Sequence, residues 1–180
     1  MDYVGTEKNR AAGRRRCIRF MVSVITSFFI IMSGCTYKKD SVVFVYREAK
    51  SISTQMITYF KEKDVGKLKS LFSNHIQKEY DLDTQIKEAF DFIGGDIVSH
   101  DEPYGQAGEK SRDIWGTEYE EMVGEVTSVR TDKDRIYGIY FFAYRTYRYD
   151  KDYEGVFCMM IFSENEENKG KKFFIGNLDE

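Results

Sequence analysis

The sequence predicts an α+β domain: three amino-terminal helices on one face of an antiparallel sheet of about five strands, behind a cleaved signal segment. Three observations carry that prediction. Apolar residues recur at three- and four-residue intervals between residues 45 and 93. From residue 97 onward they follow strand patterns separated by polar turns. A basic and then apolar amino terminus ends at a cysteine. Helical periodicity followed by strand periodicity, in separate blocks, is the pattern of helices gathered on one side of a sheet.

The first 34 residues read as a signal. Lys8, Arg10, Arg14, Arg15, Arg16 and Arg19 face only Asp2 and Glu7, and the thirteen residues 20–32 carry no charge. A positive flank, a short apolar run and small residues at a cut site are the three parts of a secretory signal. As a helix the run would rise about 20 Å, short of the ~30 Å hydrocarbon core, so a stable transmembrane helix is the weaker reading. Met32-Ser33-Gly34-Cys35 resembles the lipobox of bacterial lipoproteins, with Met32 in the usual Leu position. That resemblance implies a diacylglyceryl group on the Cys35 thiol and cleavage just before it. It divides the chain into a lipoprotein signal peptide (1–34), a lipidated tether (35–41) and a single α+β domain (42–180). Two acyl chains anchor stably where one is marginal, which predicts attachment to the extracytoplasmic face of the cell membrane. The alternative is Cys35 as a buried thiol in an amphipathic helix.

Composition bounds the rest. The chain has 27 Lys and Arg against 30 Asp and Glu, and loss of residues 1–34 removes six basic and two acidic side chains, leaving a net charge of −7. An acidic domain lacks the Lys/Arg clusters that phosphate contacts require, so no nucleic-acid partner is expected. Of the three cysteines, Cys17 leaves with the signal and Cys35 is acylated, so Cys158 stands alone and no internal disulfide forms. Stability then rests on a packed core, which 14 Phe and 13 Tyr can supply.

Val45, Ala49, Ile52, Met56 and Phe60 mark the first helix, closed by Lys61-Glu62-Lys63. Asp64 is placed to cap a second helix carrying Leu68, Leu71, Phe72 and Ile76. A third runs from an Asp83 cap through Ile86, Phe90 and Ile93 to Gly94-Gly95, a helix stop. Strands are expected at 97–99, 119–131, 135–149, 153–163 and 172–176. Their short polar connections imply antiparallel meanders. At ~3.3 Å per residue the strand RIYGIYFFAYRTYRY is too long to stay straight, and a bend or bulge is expected near Gly138. Ile136, Tyr140, Phe142 and Tyr144 fall on one face, and Tyr137, Ile139, Phe141 and Ala143 on the other.

This order resembles the nuclear-transport-factor-2-like, or cystatin-like, cone, and YFKEKDVGKLKSLFS is similar to its junction of first and second helices. IKEAFDFIGGDIVSHD resembles a segment of an uncharacterised family of Gram-positive lipoproteins. The resemblance implies helices lying in the hollow of a curved sheet. It brings no catalytic residues, because that lipoprotein family has no established activity and the wider fold hosts enzymes, binding modules and toxin-immunity proteins alike.

Candidate sites are few. His100, Asp101 and Glu102 stand together at a strand end, in reach of acid-base or metal chemistry in principle, but neighbours on a strand face opposite ways and a solvated turn explains them. No paired-His or Cys-x-x-Cys spacing supports a metal, no cofactor motif occurs, and no catalytic residue is assigned. Residues 101–118 read as an irregular loop holding the single Trp, Trp115, which either closes a pocket or plugs the core, with the plug favoured. YFFAYRTYRYDKDY reads as core first and interface second: a homodimer or partner protein would cover an apolar outward face. Cys158, inside VFCMMIF, is expected to be buried and inert, and His75 at the surface or capping. The function expected is a lipid-anchored extracytoplasmic binding or protein-interaction domain. The alternatives are a small pocket enzyme of isomerase or dehydratase type, with His100, Asp101, Tyr140 or Trp115 lining its cavity, and a membrane-attached immunity-like protein.

Overall fold

A computed structural model describes residues 39–165 and 169–177. The predicted signal and its cysteine, Cys35, lie outside the described residues. The chain divides into two compact units, residues 1–41 and 42–180, and the fold is that of the second. Among the described residues it comprises four α-helices and a six-stranded antiparallel sheet.

The first helix, α1 (Lys39–Glu62), buries Val45, Ala49, Met56, Ile57 and Phe60. Asp64 caps α2 (Val65–Lys69) as expected, its carboxylate accepting from the Lys67 amide at 2.9 Å. The expected second helix does not continue to Ile76. It breaks at Leu71–Ser73, where the backbone pairs with the start of a strand: the Val156 amide donates to Leu71 O at 3.1 Å and the Ser73 amide to Val156 O at 2.9 Å. Ser73 then caps a separate α3 (Asn74–Glu79). The cap of α4 (Leu82–Ile93) is Asp81, not Asp83, because Asp81 reaches both the Thr84 amide at 3.2 Å and its hydroxyl at 2.7 Å. Gly94 ends α4 in the left-handed conformation at φ 65°, the stop expected of it.

The strands are β1 (Ile97–Ser99), β2 (Tyr104–Asp113), β3 (Gly116–Thr131), β4 (Ile136–Tyr147), β5 (Gly155–Ser163) and β6 (Lys172–Gly176), with a 3-10 turn at Lys151–Tyr153. Their order is β1-β3-β4-β5-β6, and β2 pairs with β3 on the same side as β1. The irregular loop expected at 101–118 is therefore mostly strand: β2 and the first turns of β3 form a hairpin from Tyr104↔Glu125 to Asp113↔Gly116. Its polar alternation lacks the apolar face by which strands are read, because the hairpin extends beyond the core. β4 bulges not at Gly138 but at Arg145, the extra residue between the pairs Glu121↔Tyr144 and Glu120↔Thr146. Opposite Gly138 it is β3 that bulges: Thr127 and Ser128 together face Gly138 between the pairs Val126↔Ile139 and Val129↔Tyr137, and Ser128 takes φ 52°. Gly138 stays in regular register with Phe162.

Alternation divides β4 as expected. Tyr137, Ile139, Phe141 and Ala143 are buried with Val126, Met159, Ile161 and Ile175 and with the apolar residues of all four helices in one core. Tyr137 also donates its hydroxyl to Phe92 O and Ile93 O, both at 3.0 Å, fixing the end of α4 to the sheet. The approach of α1 depends on a glycine pair, Gly105↔Gly124 across the β2–β3 ladder. A Cβ on Gly105 would stand 2.4 Å from Lys50 N, and one on Gly124 2.2 Å from Ser53 Oγ. Ser53, fully buried, donates to Tyr104 O at 2.6 Å in the space that the glycines leave.

Candidate interaction surface

The alternate residues of the central strands form the second face of the sheet. Direct partners across strands share a face, so the registers Val123↔Phe142, Glu125↔Tyr140↔Met160↔Phe174 and Phe162↔Lys172 set these side chains together. The apolar ones are half-buried rather than sealed. Tyr140 packs on Phe162 with ring centres 5.8 Å apart. Burial, reinforced by Glu125 and Glu164, raises the Tyr140 hydroxyl above its ordinary pKa. Burial likewise raises the carboxyl of Glu121, the ladder partner of Tyr144.

At one end this face becomes a continuous row of rings. Phe142 lies 6.3 Å from Phe157, Phe157 stacks on Tyr144 at 4.7 Å, and Tyr144 lies 5.1 Å from Tyr147. Tyr147 stacks on Tyr153 at 5.0 Å, and Tyr153 on His75 at 4.0 Å. The stretch read from sequence as core first thus presents Phe142 and Tyr144 on its second parity, and the extra residue Arg145 in β4 brings Tyr147 round to join them. The short turn at Lys151–Tyr153 folds Tyr153 back to complete it. His75 joins it from α3, as a half-buried side chain stacked on a ring.

The β2–β3 hairpin ends beside this row. Arg148 clasps Asp113 with two nitrogens, at 2.8 and 2.6 Å, and the Trp115 amide donates to Asp113 Oδ1 at 2.8 Å. The paired guanidinium holds the Asp113 carboxyl down to about 2. Glu118 accepts from Ser111 and from the Tyr149 hydroxyl at 2.8 and 2.9 Å. The turn so fixed presents Ile114 and Trp115, which are 90% and 81% exposed. Trp115 therefore neither plugs the core nor lies in a loop; it tips a hairpin.

Below the tip is a charge cluster that the sequence reading passed over. Glu120, only 8% exposed, accepts from Lys110 and, at 2.6 Å, from Arg145, which also reaches Glu48 of α1 at 2.9 Å. Burial disfavours the Glu120 charge, but the hydrogen bonds from Lys110 and Arg145 outweigh it and lower the pKa. The guanidinium also lies 4.9 Å over the Phe44 ring. The signal was present: Arg145 has the same parity as Tyr137, Phe141 and Ala143, so a charge falls on the inward row. Such a residue needs a buried carboxylate.

The other candidates do not converge. His100 Nδ1 lies 2.7 Å from the Asp101 carbonyl, and Asp101 accepts from the Thr127 hydroxyl at 3.0 Å. Hydrogen bonds from Ser128 and Thr127 depress the Asp101 carboxyl, so it serves the β3 bulge. Glu102 pairs with Lys50. Tyr140 stands on the second sheet face and Trp115 at the hairpin tip, so the four candidates fall in three separate places, with only His100 and Asp101 together. Cys158 is buried, and burial pushes its thiol up to about 11, which makes it a poor nucleophile at neutral pH. Among the described residues no three His, Cys, Asp or Glu side chains are grouped to hold a metal ion, and no helix is long and apolar enough to cross a membrane. A shallow depression lined by Lys63, Lys87, Phe90, Asp91, Gly94 and Gly95 is open to solvent. The chemistry offered is ring stacking and apolar burial framed by paired charges.

No curated protein matches the chain. Residues 55–164, which run from the middle of α1 to just past β5, match the model of a family described as Domain of unknown function (DUF5104), and because that match spans more than half of the sequence, the chain belongs to this family.

Proposed function

We propose that the protein is a lipid-anchored extracytoplasmic domain that binds another molecule through its aromatic sheet face, without catalysis. The observation that carries this reading is the joint occurrence of two features: a basic, apolar and small-residue series ending at Cys35, and a row of rings from Phe142 to His75 on the domain behind it, half-buried except for the buried Phe157. The order of four helices and six antiparallel strands is compatible with a nuclear-transport-factor-2-like cone, and the family membership with an uncharacterised lipoprotein lineage.

The packing supports binding over pocket catalysis. The inner side of the sheet is filled: Phe60, Phe141, Met56, Ile86 and Met159 have almost no exposed surface. A pocket enzyme needs convergent polar groups around an enclosed space, whereas here the carboxylates that come together do so with Lys and Arg partners. A homodimer or a partner protein fits the outer face, where rings supply contact area at low entropic cost.

Mass spectrometry of the protein extracted from membranes tests the anchor, with Cys35→Ala as the control. The reading requires a mature chain beginning at acylated Cys35 and its loss in the variant; an intact, unmodified amino terminus overturns it. Tyr147→Ser with Tyr153→Ser tests the face: partner capture or self-association falls while the anchor and the fold, read by circular dichroism, persist.

A further inference from the structure

We propose that the Ile114–Trp115 hairpin tip is a membrane-interface contact, seated among the lipid headgroups of the bilayer to which Cys35 is attached. This rests on the anchoring reading and adds an orientation to it: the β2–β3 hairpin points at the membrane, and the domain stands on two supports rather than swinging from one.

The exposure comes first. Ile114 and Trp115 are the two most exposed large apolar side chains described, at 90% and 81%. Water-facing Ile and Trp side by side oppose the hydrophobic effect unless something apolar meets them. The Asp113–Arg148 clasp, the Trp115 amide bond to Asp113 and the Tyr149–Glu118 bond fix the turn, so the pair is held outward by structure.

Placement follows from the contacts of α1. Lys50 lies beside Gly105 near the start of β2, whereas Glu48 and Phe44, nearer the helix start, meet Arg145, whose partner Glu120 pairs with Lys110 farther along β2. Moving toward the amino terminus of α1 is therefore moving toward the hairpin tip. From Lys110 to Asp113, where β2 gives way to the tip, is three residues, about 10 Å of strand. Val43 and Phe44 are exposed at the same end of α1. Val42 follows Cys35 by seven positions, a reach of at most about 25 Å. A lipid on Cys35 thus keeps this end of the domain, and not the Asp96 end, next to the bilayer.

The chemistry selects the interface rather than the hydrocarbon core. Trp is enriched at the level of the headgroups, where an apolar ring meets a polar edge. The processed chain carries a net charge of −7, so attraction to anionic lipid does not drive the contact, and salt should leave it unchanged.

Trp115 is the only Trp in the sequence, so its fluorescence reports the tip alone. The full chain, processed in a lipoprotein-forming bacterial host, is reconstituted into phosphatidylcholine–phosphatidylglycerol vesicles with and without brominated acyl chains. Acylation is read by mass spectrometry on the same sample. The expected result is a blue shift on reconstitution, at least twofold quenching by brominated lipid at low and at high salt, and a reduced effect in Ile114→Ser with the anchor intact. Acylated, vesicle-bound protein with unshifted, unquenched emission overturns the proposal and leaves the anchor standing. So does emission that changes only when a partner protein is added. A chain lacking acylation overturns both readings, and the mass shows it independently of the fluorescence.

Discussion

Gly105→Ala adds one methyl group at the place where α1 crosses the sheet, and its cost can be worked out from the contacts. The new Cβ would stand 2.4 Å from Lys50 N and 2.6 Å from both Ala49 C and Ala49 Cβ, against a normal separation of about 3.5–4.0 Å. Two of these three neighbours are helix backbone, so no side-chain rotation relieves the clash and α1 must lift by about 1 Å. Overpacking of this kind costs about 1–3 kcal/mol. Lifting also stretches the buried Ser53–Tyr104 hydrogen bond of 2.6 Å, for about 1 kcal/mol more. Alanine recovers about 0.5–1 kcal/mol over glycine in a strand, so the net loss is about 1–3.5 kcal/mol. With a urea slope of about 1.5 kcal/mol/M, the midpoint of unfolding, followed by far-UV ellipticity, falls by roughly 0.7–2.3 M. Gly66→Ala is the control. Gly66 is an exposed helical residue, and its Cβ would meet only Asp64 Oδ1, at 3.6 Å, so the same substitution there stabilises by about 0.5–1 kcal/mol. A midpoint for Gly105→Ala within about 0.3 M of the parent refutes the glycine-pair account of how α1 is seated.

Other outcomes follow from single groups. The Asp113 carboxyl titrates near 2 by NMR, and Arg148→Gln returns it toward 3.8 by removing the clasp. Because the folded value is depressed, the clasp's contribution to hairpin order is complete above about pH 4 and is lost as pH falls through about 2; an Asp113 midpoint already near 3.8 in the parent contradicts the geometry. The Cys158 thiol, raised to about 11 by burial, resists alkylation at pH 8 in the folded chain and reacts fully in urea, as peptide mapping would read. Rapid native modification at that position, which shares a face with Phe142, would show the second face of the sheet to be open at β5.

The parts of the fold legible in the sequence are those where one periodicity acts alone. The α1 stripe, the Asp64 cap, the Gly94 stop and the two faces of β4 all follow from local spacing, and each is present. The second helix was misjudged because Leu71 and Phe72 continue a helical spacing while their backbone is claimed by Val156, a partner more than eighty residues away. The Asp81 cap was missed because two aspartates stand two residues apart, and only the geometry at Thr84 chooses between them. The β2 strand was invisible because a hairpin beyond the core needs no apolar face. Trp115 was read through the habits of buried tryptophans, whereas its position was set by the turn. The Glu120–Arg145 cluster was legible in principle, since inward parity on a recognised strand exposes a misplaced charge.

The short pairing of Leu71–Ser73 with Val156 has a consequence for the order of assembly. Residues in the first half of the domain can complete their backbone bonds only once β5 exists, and Glu48 of α1 finds its partner at Arg145, 97 positions later. Contacts of such sequence separation make folding slow, because long loops must close before they are rewarded. The helical half is thus left unfinished while the chain is still being delivered. If the chain is exported and acylated as proposed above, that delay keeps the strand-rich carboxyl-terminal half in command of when the domain locks.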